Sequence, residues 1–384
     1  MYKFFKSGSL VAASVLVTAS MLLSACGGDT ATNTPVAPTN TTAAATNTPA
    51  MAAATDTPAM AGTTPTTAGS TGKKLKVGLV TDVGSINDKS FNQSSYEGVL
   101  QAQKDLGADI KYLEPKSAQD YSNLINQFVA DKYDVVVTVG FALGDATTKA
   151  AAANPTIKFI GVDQFQAATL PNLAGLVFEE DKAGYLAGAL AALMTKTHNI
   201  GAVLGTDTVP PVWRYGEGYK AGAKSIDPNI KLQVVYHSDV DISKTFNDPA
   251  WGKTTAQSMI NQGADIVFGA GGSTGNGALF AAADNKDKGV LCIGVDTDQY
   301  NTVPEAQAVM LSSAEKLLTP GVFNLIKAVQ DGTLKGGNNN GDVGLAPYHD
   351  LDAKVPADVK AKITKLTADI LSGAVKTNVP PAKP

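Results

Sequence analysis

The sequence of 384 residues holds a single arginine, Arg214, and only three histidines, His198, His237 and His349, with none at metal-ligand spacing. One arginine excludes an arginine cluster for a polyanion. Scattered histidines and two cysteines exclude a His/Cys zinc site, so no metal and no cofactor is expected. Excess charge is also lacking, because 31 basic residues face 35 acidic ones. Nucleic acid requires a dense basic surface and is therefore not an expected partner. Nucleotide signatures fail as well. The run GAGGSTGNG (269–277) has Gly269 and Gly271 but Thr274 where a third glycine belongs, and Asn247 stands where a P-loop before Gly252-Lys253-Thr254 begins with glycine.

What is present starts with an address. Lys3 and Lys6 precede a Val/Ala/Leu-rich stretch that ends in Leu23-Ser24-Ala25-Cys26. A basic start, a short apolar run and small residues before a cut describe an export signal over residues 1–25. Its strongly apolar part, residues 10–25, is shorter than the roughly 20 residues that a bilayer crossing prefers. The LSAC ending resembles the lipobox of bacterial lipoproteins, which implies lipidation of Cys26 and a membrane anchor on the extracytoplasmic side. Residues 27–72 are nearly all Thr, Ala, Pro, Asn and Gly. Such a composition cannot bury an apolar face, so with Cys26 it is expected to act as a disordered tether.

From Lys73 onward short β-branched runs alternate with amphipathic stretches. Strands are predicted at 75–81, 109–115, 135–140 and 157–163, and again at 199–205, 230–236, 265–270 and 290–296. A chain this long exceeds one ordinary core, and the alternation repeats, so an α/β architecture of two doubly wound lobes is predicted. Ligands of such sheets sit beyond the carboxyl ends of the strands. That rule selects the loops 82–90, 140–145, 163–168, 206–215, 237–249, 270–277 and 296–300. Cys292, within VLCIGVD, reads as a small buried strand residue.

Asp82 ends the first strand and is either a cleft carboxylate or a turn-maker for the following helix. Phe91 stands between polar Ser90 and Asn92, and Phe246 lies amid polar residues before Asp248-Pro249. Two rings offered from opposite lobes would sandwich a flat heteroaromatic, at roughly 1–3 kcal/mol per stacked base. The glycine-rich loop suits close backbone approach to an uncharged ligand. Asp296 and Lys316 together suit a sugar diol, as an acceptor and a donor, though either could be a cap or a solvated charge. Gly271-x-Ser273-x-Gly275 fits a nucleophile-elbow pattern, but His349 is the sole histidine after it and no oxyanion loop precedes it, so no enzyme is expected. Glu179 and Glu180 read as helix-start charges. Trp213 and Tyr215 either rim the cleft or pack beneath a loop.

Taken in order, VGLVTDVGSINDKSFNQSSYEGV (77–99), FEEDKAGYLAG (178–188), FNDPAWGK (246–253), AGGSTGNG (270–277), VDTDQ (295–299) and SSAEK (312–316) resemble the basic membrane protein family of substrate-binding lipoproteins, which includes PnrA-like purine nucleoside receptors. The resemblance implies a type I periplasmic-binding-protein fold with a three-stranded hinge, an ABC permease as partner and a nucleoside as ligand. It implies crossings near 178–179, 296–297 and 313–314, with lobe one at 73–178 plus 297–313 and lobe two at 179–296 plus 314–384. It implies a purine between Phe91 and Phe246, with Asp82, Asp163, Ser90 and Asn92 at the base edge or sugar. Gly271 would approach the ligand, and Asp296 with Lys316 would hold the ribose. The family commonly carries glycine at the place of Ser85 and lysine at that of Trp251, which leaves the particular base open. A ligand-sensing receptor and a nucleoside-acting enzyme are the alternative readings.

Overall fold

A computed structural model describes residues 74–384, so the export signal, Cys26 and the tether lie outside the described residues. No helix among the described residues is long and apolar enough to cross a membrane.

The described residues open with β1 (Lys76–Val80), α1 (Phe91–Leu106), β2 (Asp109–Leu113), α2 (Tyr121–Ala130), β3 (Val135–Val139), α3 (Gly144–Ala153), β4 (Lys158–Val162) and β5 (Leu173–Val177). It continues with α4 (Glu180–Met194), β6 (Asn199–Leu204), α5 (Pro210–Ile226), β7 (Lys231–Tyr236), α6 (Ile242–Thr245) and α7 (Pro249–Asn261). Next come β8 (Ile266–Ala270), α8 (Gly272–Asp284), β9 (Leu291–Asp296), α9 (Gln299–Thr302) and β10 (Met310–Lys316). The last elements are α10 (Leu318–Gln330), β11 (Gly337–Asn340), β12 (Val343–Leu345) and α11 (Ala357–Leu371).

Among the described residues these strands form two sheets of six, ordered β11-β5-β4-β3-β1-β2 and β12-β10-β9-β8-β6-β7. All pairings are parallel except β10 with β12. The central strands β3, β6 and β8 are buried along their whole length, as expected of mainly apolar strands with helices over both faces. Cys292 is buried in β9, and burial raises its thiol pKa far above the usual range, which makes it an unreactive core residue.

The chain passes between lobes at three places: between β5 and α4, at Leu317 between β10 and α10, and at Gly341-Asp342 between β11 and β12. The crossings are tied together, since Leu317 N–H donates to the Asp342 carbonyl (2.9 Å) and Gly341 N–H to the Val177 carbonyl (2.8 Å). The expected places of two crossings, 296–297 and 313–314, differ from these. Residues 296–297 stay in the second lobe, because β9 leads through α9 into β10, which pairs with β9. Residues 313–314 lie in the middle of β10. Residues 297–313 therefore belong to the second lobe, while α10 packs on α1 and β11 joins the first sheet. An apolar strand pattern is the same whichever sheet receives it, so the sequence could not show which sheet takes β10.

Candidate functional site

The carboxyl ends of the strands converge on one cleft of about 780 Å³, counted to its mouth. Asp82 follows β1, Gly140 and Phe141 follow β3, and Asp163 follows β4. From the second lobe come Phe246 after α6, Gly271 after β8, Asp296 at the end of β9 and Lys316 at the end of β10.

Phe91 and Phe246 both line this cleft and both are half-buried. Phe91 opens α1 in the first lobe, and Phe246 closes α6 in the second. The Phe246 ring rests on the backbone of Gly205, where a Cβ would stand 2.3 Å from a ring carbon. Only glycine permits that approach.

The polar floor centres on Lys316, whose side chain is 3% exposed. Its Nζ lies 2.6 Å from Asp163, 3.8 Å from Glu180 and 3.8 Å from Asp296. The same ammonium sits 4.6 Å from the centroid of the Phe91 ring, a cation–π contact in a desolvated setting. Burial acts to lower the Lys316 pKa, but the three surrounding carboxylates outweigh it, and the net shift is upward. Glu180 is pushed up to about 7, chiefly by burial, against the pull of Lys316 and Arg214. Arg214 pairs with Glu180 at 3.0 Å and with Asp181. Two cations thus face four carboxylates: Asp163, Glu180, Asp181 and Asp296.

Asp163 and Asp296 both adopt positive φ, at 58° and 68°. Non-glycine residues hold that conformation at a cost, and it turns both side chains at the strand ends. One Asp163 oxygen takes the Lys316 bond, while Oδ1 is buried with no hydrogen-bond partner. Asn92 Oδ1 is likewise buried and unpartnered. Both residues line the cleft, so a ligand donor could satisfy either atom. Asp82 Oδ1 accepts from Gly84 N–H (2.8 Å) and Asn92 Nδ2 (2.9 Å). Its pKa is raised by burial, with a smaller contribution from the Asp163 charge and an opposing one from those bonds. These are acceptors with little spare positive charge, which suits hydroxyl and N–H donors rather than an anion.

Eight of the nine expected ligand residues line the cleft: Asp82, Phe91, Asn92, Asp163, Phe246, Gly271, Asp296 and Lys316. Ser90 does not. It is buried behind the site, where its hydroxyl donates to Asp296 Oδ2 at 2.7 Å. Tyr215 lines the cleft, whereas Trp213 is buried and does not. Glu180 is more than a helix-start charge, because it is buried inside the Lys316 cluster. Sequence reasoning also missed Asp88, whose carboxylate accepts from the N–H groups of Ser90, Asn92 and Gln93 and whose pKa burial raises to about 7. An acid just ahead of a helix start was its signal. His349 pairs with Asp298 (2.7 Å) and stacks on Tyr300.

A sequence profile described as ABC transporter substrate-binding protein PnrA-like matches residues 75–345. A nucleoside-binding protein of an ABC transporter from Lactococcus lactis, BmpA, is 33% identical over 80% of this chain and 91% of its own. An uncharacterized lipoprotein of Pyrococcus abyssi is 34% identical over 69% of this chain and 66% of its own. Among solved structures, a solute-binding protein of an ABC transporter system from Aeropyrum pernix superposes with a TM-score of 0.71 at 25% identity, covering 79% of this chain and 92% of that one.

Proposed function

The chain belongs to the PnrA-like family of ABC transporter substrate-binding proteins, and from that premise we propose that it captures a purine nucleoside between its lobes. The fold is that of type I periplasmic-binding proteins, the work of such a protein is to bind a small molecule, and its partners are permease subunits. One observation carries the finer reading: half-buried phenyl rings from opposite lobes line a single cleft whose floor is rich in carboxylates.

In this reading the base stacks between Phe91 and Phe246, which supply area and tolerate different bases. Asp82 and Asn92 meet the base edge. Asp163, through its unpartnered oxygen, and Asp296 accept ribose hydroxyls, with Lys316 holding both carboxylates in place. A phosphate has no vacant cation to pair with here, since Lys316, among the described residues the sole lysine or arginine lining the cleft, already faces three carboxylates. The neutral nucleoside is favoured over its nucleotide. Contacts that form only when the lobes close stabilise the closed state that the permease receives. Binding requires no covalent step.

The Leu-Ser-Ala-Cys ending at Cys26 and the lipoprotein relative support an acyl anchor on the extracytoplasmic face of the membrane. Mass spectrometry of small molecules released by denaturing freshly purified protein tests the cargo. A purine nucleoside is expected, and recovery of a different solute class at stoichiometric amounts rejects the assignment.

A further inference from the structure

The lobes also meet outside the ligand cleft. The turn Asp88–Ser90 precedes α1 in the first lobe, and Lys89 takes the left-handed conformation at φ 60°. Its carbonyl accepts two hydrogen bonds from the second lobe, from Gln299 Nε2 (3.0 Å) and from Thr302 Oγ1 (2.7 Å). The Asp88 carbonyl accepts from Asn276 Nδ2 at 2.8 Å. Asn276 Oδ1 in turn accepts from Gln299 Nε2 (2.8 Å), and Gln299 Oε1 accepts from Val295 N–H (2.9 Å). Asn276 and Gln299 are buried, so each is held by its own lobe while it reaches across. On the other side, the Asp88 carboxylate gathers three backbone N–H groups and fixes the turn. A shaped finger enters a shaped socket. None of Asn276, Gln299 and Thr302 lines the ligand cleft.

We propose that Asn276, Gln299 and Thr302 form a ligand-independent latch that grips the 88–90 turn when the lobes close and thereby sets the fraction of closed protein. The inference rests on the reading that the protein closes on its ligand, but not on that ligand being a nucleoside. Apparent affinity scales with the population of the binding-competent state. Loosening the latch therefore weakens every ligand by one common factor, whereas altering a cleft contact changes ligands unequally.

Thr302→Val tests this in the full chain, because it keeps side-chain shape and removes one donor to the Lys89 carbonyl. Thr302→Ser restores the hydroxyl. Small-angle scattering would be recorded without ligand, and affinities for adenosine and guanosine measured by calorimetry. Thr302→Val is expected to enlarge the ligand-free radius of gyration and to weaken both nucleosides by the same factor, about 3- to 10-fold for one hydrogen bond. Thr302→Ser is expected to behave as the unmodified protein. An unchanged ligand-free radius, unequal factors for the two nucleosides, or a serine variant as weak as the valine variant would overturn the latch. Should the unmodified protein bind neither nucleoside, the cargo assignment falls while the scattering comparison still decides the latch.

Discussion

Replacing Lys316 by methionine keeps most of the side-chain volume and removes the one cation shared by three buried carboxylates. At an effective dielectric of about 20, contacts of 2.6, 3.8 and 3.8 Å correspond to gross attractions of about 6, 4 and 4 kcal/mol. Desolvation of the charged groups offsets most of that sum. Removing one partner from a buried ion pair costs about 3–5 kcal/mol, which is a large share of the roughly 5–15 kcal/mol that holds a domain folded. The loss depends on pH with a definite sign. Glu180 already stands near pH 7, raised from 4.5 by burial, and Lys316 is the strongest group pulling it down. A carboxyl whose pKa is higher folded than unfolded favours the fold fully below the unfolded value. That advantage disappears as pH rises through the folded value. Without Lys316 the folded value climbs further, so Lys316→Met loses most stability at pH 8 and recovers part of it towards pH 5. Urea unfolding followed by the fluorescence of Trp213 and Trp251 at both pH values measures this. A loss below about 1 kcal/mol at pH 8, or equal losses at pH 5 and 8, would refute the reasoning.

Phe91→Ala and Phe246→Ala are each expected to weaken nucleoside binding by about 5- to 150-fold, the equivalent of one lost base stack. Calorimetry showing full affinity in both variants would remove the sandwich. Asp296→Asn is expected to weaken nucleosides more than free bases, because it removes an acceptor for ribose hydroxyls. Equal weakening of both ligand types would place Asp296 away from the sugar.

The alternation of strand and helix was legible from β-branched runs, and the strand predicted at 135–140 is β3. β5, β11 and β12 were not legible. β5 (LAGLV) is glycine-interrupted, and β11 (GNNN) carries no apolar pattern, being held by backbone pairing to β5. The loops that build the cleft followed from the strand-end rule alone, since that rule needs only where strands stop. What the sequence could not convey was side-chain depth. Ser90 and Asn92 are two residues apart, yet one turns behind Asp296 and the other lines the cleft, a difference set by how α1 begins. Glu180 reads as an ordinary first-turn acid until α5 brings Arg214 and β10 brings Lys316 against it. Such clusters depend on elements distant in sequence, and no local spacing records them.

The most direct measurement is a calorimetric titration of the purified protein with adenosine, adenosine 5′-monophosphate and ribose. Saturable binding of the nucleoside, with the monophosphate and the bare sugar each at least about 10-fold weaker, is the expected result. Ribose binding as tightly as adenosine, or no heat with any purine nucleoside, would contradict the account.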